Sequence, residues 1–217
     1  MAVHAPPPKY AEWIDFFFAR IERDTDDPWT LDWDFKASPS EIADLFVHTM
    51  NNSGRDLAPF SDKQLAAGLN GLLFSNYGSV PHILFGAGVS DAQKLDVLRS
   101  LKRLYSDCLA KRSPPVLGHI NETQSNPLEF VTYMLWDVTP LDSMAKKNAD
   151  RHDALLDVLG QALRLPNEAC IESALHGLGH LRGQKAQAVI DRWLDGKPSV
   201  RPSLIAYARS ARAGCIQ

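Results

Sequence analysis

Apolar residues recur at helical spacing along most of the chain, and no segment alternates apolar and polar positions for six residues. Tyr10 to Arg23 carries Trp13, Ile14, Phe17, Phe18 and Ile21 on one broad face. Ser38-Pro39-Ser40-Glu41 has the form of a capped helix start with proline in the first turn, and Ile42, Leu45 and Phe46 follow at helical spacing. Ser61 heads a helix with Leu65, Leu69, Leu72 and Leu73, and Pro81 to Phe85 predicts a short one. Ser90 opens the longest, running to about Lys111 with Leu98, Leu101, Tyr105, Cys108 and Leu109 in a stripe. Leu128 to Val138, Asn148 to Leu165, Asn167 to Gly183, Gln184 to Leu194 and Pro202 to Arg212 complete the pattern. About nine helices joined mostly by short loops predict an all-α fold of antiparallel helix pairs. The expected domain is single, residues 1–217, with residues 1–60 packing on a body of residues 61–217.

The helix from Asn167 to Gly183 combines this pattern with candidate chemistry. Stepping 100° per residue puts Ile171, Leu175, Leu178 and Arg182 on one stripe, with Ala174 and Leu181 at its edge, and this predicts the core face. Glu172, His176 and His180 fall on a second stripe, spaced i, i+4, i+8. Two histidines one turn apart can bind a single metal ion, and Glu172 is the candidate third ligand. The HExxH order of a zinc protease is absent. The plainer expectation is a polar helix face, or a hydrogen-bonded contact to the next helix. Gly177 and Gly179 flank the histidines, and each weakens a helix by about 1 kcal/mol relative to alanine. They predict a backbone packed closely against this helix, or a bend.

The run ACIESALHGLGHL, followed by AQAVIDRWL and LIAYARSARAG, resembles the helix pairs of HEAT-like repeat proteins over the last 60 residues or so. The resemblance implies an α-solenoid-like stack and a protein-binding surface rather than a reaction. No clean second copy stands upstream; Leu95-Asp-Val-Leu recurs only as Leu156-Asp-Val-Leu.

Charge adds an asymmetry. The net charge is −3, but residues 1–60 hold 11 acids and 5 bases while residues 61–217 hold 15 acids and 18 bases. This balance argues against a general nucleic-acid binder, although residues 181–217 carry 7 bases and 2 acids. The stretch DTDDPWTLDWDF, residues 24–35, reads as an acidic aromatic loop. Asp26, Asp27, Trp29, Asp32, Trp33 and Asp34 are the candidate contacts to a basic protein partner. The alternative is a solvated loop whose tryptophans pin it to the helical core. Residues 113–126 form a long connection containing His119 and Glu122, neither with a partner visible in the sequence. Asp137, beside Trp136 at a helix end, reads either as a buried carboxylate or as a cap for the following loop.

Cys108, Cys170 and Cys215 form no paired spacing and predict reduced thiols in a cytoplasmic protein. No apolar run approaches 18 residues, so no membrane segment is expected. No signal leader and no cofactor motif are found, and no nucleophile elbow or nucleotide loop stands in the chain. Three function classes follow. The leading one is a non-enzymatic protein-binding scaffold, such as a cytosolic bacterial inhibitor or immunity-type protein. The alternatives are a metal-dependent enzyme using Glu172, His176 and His180, and a nucleic-acid-binding helical repeat protein.

Overall fold

The computed structural model describes residues 5–20, 34–196 and 198–216, and among these residues every regular element is helical. Helix α1, Tyr10–Ile14, continues into a wider π-helical turn, Asp15–Ala19. Then follow α2 (Pro39–Asn51), α3 (Ser53–Asp56), α4 (Asp62–Leu73), α5 (Val80–Ile83) and α6 (Asp91–Arg103). A second π-helical turn, Leu104–Leu109, joins α6 to α7 (Ala110–Arg112). The chain closes with α8 (Pro127–Val138), α9 (Leu141–Ala145), α10 (Ala149–Ala162), α11 (Glu168–Leu181), α12 (Gly183–Asp195) and α13 (Pro202–Arg212).

The helix starts follow the sequence signals closely. Ser38, Ser61 and Ser90 each cap their helix through a reciprocal capping box with Glu41, Gln64 and Gln93. Each box satisfies two otherwise orphaned backbone groups. Asn126, Asn148 and Asn167 cap α8, α10 and α11 in the same role. The one-turn pieces α3 and α9 had no periodic signal, because four or five residues cannot establish a helical period.

The longer helices pack in two series. In one, α2 lies on α6 and α6 on α10; in the other, α4 lies on α8, α8 on α11 and α11 on α13. The first series meets the second where α10 packs on α11. Trp13, Phe17 and Phe18 of the first helical segment are fully buried. Trp13 donates to Thr49 Oγ1 at 3.0 Å, and the π-helical turn packs on α4 beside Gly68. A methyl group on Gly68 would lie 2.3 Å from the Phe18 ring and 2.7 Å from the Phe17 carbonyl, so only glycine fits there.

Asp26, Asp27, Trp29, Asp32 and Trp33 of the acidic loop lie outside the described residues. Asp34 is described; hydrogen bonds from the Ser79 hydroxyl and, at 3.1 Å, from the Ser79 amide hold its carboxyl below the usual carboxylate range.

All three cysteines are free. Burial pushes the Cys108 thiol up to about 11 and the Cys170 thiol up to about 12, while Cys215 is exposed. Because the thiolate is the reactive form, the native chain is expected to react with one equivalent of a maleimide, at Cys215, and with three after denaturation. Mass spectrometry of the labelled protein checks this; fast modification of Cys108 or Cys170 in the native state would contradict the core packing.

Candidate metal centre

Helix α11 is enclosed nearly all round, by α8, α10, α12, α13 and the connection of residues 113–126. Of the two expectations for its second stripe, the structure shows hydrogen-bonded contacts to neighbouring helices rather than an open polar face: Glu172 is 1% exposed and His176 is 0%, and His176 meets Tyr207 and Asp137. Arg182, read as a core position, is instead exposed, because the helix ends at Leu181 and Arg182 turns the chain with φ +54°.

Asn167 fixes the start of α11. Its side-chain oxygen accepts the Ala169 and Cys170 amides, and its amide nitrogen donates to the Ser113 carbonyl at 2.8 Å. Nearly three turns on, the helix meets α8 closely at Gly177. A methyl group there would lie 3.0 Å from three atoms of the Trp136 ring. Trp136 cannot yield easily, because it is buried and its indole N–H donates to the Tyr105 hydroxyl at 3.0 Å. The glycine thus accommodates a side chain, not the neighbouring backbone that the sequence led one to expect. Gly179 is tighter still at one atom: a methyl group there would lie 2.6 Å from Ile216 Cγ2, so that side chain would have to shift.

This close approach brings Asp137, the residue after Trp136, over the histidine pair. Asp137 Oδ1 lies 3.1 Å from His176 Nε2 and 3.0 Å from His180 Nε2, and the two imidazole nitrogens are 3.1 Å apart. The three atoms come from two helices and form a nearly equilateral triangle. Among the described residues they are the group of His, Cys, Asp and Glu side chains whose ligand atoms converge as at a metal site. The Asp137 and His180 side chains are each 31% exposed, so one side of the triangle is open to solvent.

Glu172 does not join them. Its carboxylate accepts the Gly118 amide at 2.8 Å and the His119 amide at 3.0 Å, and it holds the His119 ring nitrogen. The ligand set expected from the sequence, Glu172 with His176 and His180, is therefore corrected to Asp137 with His176 and His180. One helical turn displaces Glu172 by about 6 Å along the axis, where the backbone of residues 118–119 takes up its oxygens.

The surroundings favour a cation. A carboxylate in the last turn of a helix faces the negative end of the macrodipole, which disfavours it unless a positive charge is near. Burial holds His176 below the usual imidazole value, against the pull of Asp137, so its ring is neutral and able to coordinate. His176 Nδ1 meets the Tyr207 hydroxyl at 2.6 Å. With a metal ion on Nε2, Nδ1 would carry the hydrogen and donate it to Tyr207, an arrangement that orients metal-bound histidines. Tyr207 is itself buried, stacks on His119 with ring centres 4.4 Å apart, and shares a hydrogen bond with Tyr133. Burial pushes the pKa of both tyrosine hydroxyls up, so they remain neutral donors and acceptors.

Arg201 holds the connection in place. It binds Glu122 through two contacts of 2.8 Å, pairs with Glu168 at the start of α11, and donates to the Pro115 carbonyl at 2.8 Å. The partners of His119 and Glu122, invisible in the sequence, are thus Glu172 and Arg201.

A Gly177→Ala substitution is expected to destabilise the protein by about 1–3 kcal/mol, as overpacking against a fixed ring does. Gly179→Ala should cost less, since the 2.6 Å clash it makes is with the aliphatic Ile216 side chain rather than with a ring fixed by a hydrogen bond, and alanine improves helix propensity. Thermal denaturation of the two variants side by side checks this; equal effects would contradict the stated role of Trp136.

No family model matches the chain, and no curated protein or solved structure matches it.

Proposed function

We propose that this chain is a metal-dependent protein, most simply an enzyme, that binds one divalent transition-metal ion through Asp137, His176 and His180. The observation that carries the reading is the convergence of three ligand atoms, all within 4.8 Å of one another, from α8 and α11. Structural sites usually close a tetrahedron with four protein ligands, whereas catalytic sites keep a position open. Here three ligands face solvent on one side, and the tyrosines and Glu172 surround them with neutral donors and negative charge. Isothermal titration with Mn(II), Co(II) and Zn(II) tests the reading. One equivalent should bind to the wild type and none to Asp137→Ala/His180→Ala. Failure of all three metals to bind the wild type would refute it.

A second reading is the non-enzymatic protein-binding scaffold of HEAT-like kind. It draws support from the two series of stacked helices and from a groove of about 840 Å³ between α6, α10 and α12. Lys102, Arg103, Arg164 and Arg192 line this groove; Lys102 is paired with Asp157 at 2.6 Å and Arg103 with Asp107 at 3.4 Å, so Arg164 and Arg192 carry most of its positive charge, with Leu156 and Trp193 among its apolar contributors. Its charge suits an acidic peptide carrying apolar residues, the opposite of the basic partner expected for the N-terminal loop. A labelled Glu/Leu peptide should bind in a salt-dependent way and lose affinity with Arg164→Glu/Arg192→Glu. Absence of binding at low salt would remove this reading. The nucleic-acid alternative has less support, since Lys185, Arg201 and Arg212 are paired with Asp153, with Glu122 and Glu168, and with Asp191.

A further inference from the structure

We infer that the groove between α6, α10 and α12 is a self-association site, and that its occupant is the acidic aromatic stretch of residues 21–33 from a second copy of this chain. This rests on the second reading, in which the groove takes an acidic peptide carrying apolar residues, and is independent of the metal centre.

The groove presents charge that the fold leaves unpaired. Arg164 and Arg192 are exposed, and neither has an ion-pair partner among the described residues. Arg164 acts on Asp157 only at a distance, because that carboxylate is taken by Lys102 and Gln161. In the same groove the half-buried Trp193 ring is fixed by its indole N–H, which donates to the Leu163 carbonyl at 2.9 Å. Two open guanidinium groups beside an ordered indole recognise a peptide that carries both carboxylates and large apolar side chains.

Residues 21–33 have that composition. They hold five acids against one base, Arg23, with Trp29, Leu31 and Trp33 among them. The charge of the whole chain divides in the same sense: residues 1–60 carry 11 acids and 5 bases, residues 61–217 carry 15 acids and 18 bases. Two copies therefore attract when the acidic part of one meets the basic part of the other. The stretch that suits a basic partner and the groove that suits an acidic one stand on the same chain. Phe16 and Phe35, which flank the stretch, hold their rings 5.4 Å apart, and Trp13 between the same elements bonds Thr49 of α2. The stretch thus leaves the fold on the α2 side, whereas α6 stands between α2 and the α10 wall of the groove. A second copy presents the stretch to the groove without crossing α6. Exchange in both directions closes a two-fold dimer with two such contacts.

Sedimentation velocity on the full chain tests this. The wild type is expected to dimerise reversibly at low salt and to dissociate as salt rises. Asp26→Lys/Asp27→Lys and Arg164→Glu/Arg192→Glu should each weaken association about tenfold or more, because either change sets like charges together. Mixed in equal amounts, the two variants should form a heterodimer, since the reversed stretch then meets the reversed groove and the native stretch the native groove. A monomeric wild type at low salt, a dimer that persists in either variant alone, or variants that stay apart when mixed would overturn the inference. Binding of the labelled Glu/Leu peptide to a chain that stays monomeric would refute self-association and leave the groove reading standing. A chain that neither dimerises nor binds the peptide loses both, so the two failures are distinguishable.

Discussion

Replacing His180 by alanine is expected to abolish stoichiometric metal binding while leaving the metal-free fold nearly as stable as the wild type. The side chain is about one-third exposed and lies in the last turn of α11. Removing it opens no cavity, and the loss of a histidine near a helix C-terminus changes stability by about 1 kcal/mol or less. It does remove one of three protein ligands. Loss of even an outer partner of a metal ligand commonly weakens binding roughly 10–100-fold, so the effect here should exceed about 100-fold. Titration calorimetry, paired with thermal denaturation in the presence of a chelator, reads both quantities. Unchanged affinity would exclude His180 as a ligand.

Glu172→Ala is expected to do the reverse. It orphans the amides of Gly118 and His119 and the His119 ring, all gathered on a carboxylate that is 1% exposed. Breaking a buried charged contact by removing one partner typically destabilises by about 3–5 kcal/mol. For a chain of this size that is a fall in melting temperature on the order of 10 °C. Glu172→Gln keeps an oxygen for one amide, so it should be milder and should retain one equivalent of metal. If Glu172 were the third ligand, as its place on the helical stripe led one to expect, Glu172→Gln would lose the metal and keep the melting temperature. The pair of substitutions at 172 and 180 therefore separates the two possible ligand sets.

That difference shows where the sequence was readable. The periods and caps disclosed the long helices, because a serine three residues before Glu or Gln at the head of an apolar stripe has a local cause. The histidine pair was equally visible, since spacing of four residues guarantees a shared helix face. The third ligand was not. A helical wheel says which way Glu172 points but not what stands opposite it, and residues 118–119 lie more than fifty positions away in the chain. In the sequence Asp137 reads as a buried carboxylate or a loop cap, because the contact that joins it to His176 depends on α8 approaching α11 at Gly177. The glycine was a sign of that approach, although its neighbour proved to be the Trp136 ring. His119 and Glu122 stayed unassigned for the same reason: Glu172 and Arg201 are distant in sequence and meet them only through the packing of the second helix series. The sequence leaves a polar face and a hydrogen-bonded contact both open for α11, because periodicity cannot tell a surface helix from a central one whose polar groups are satisfied internally.

The most direct test of the central claim is anomalous diffraction at the metal absorption edge from crystals soaked in Mn(II) or Co(II). The account predicts one strong peak about 2 Å from Asp137 Oδ1, His176 Nε2 and His180 Nε2 together. No peak at these atoms, or a peak whose ligands include Glu172 in place of Asp137, would contradict it.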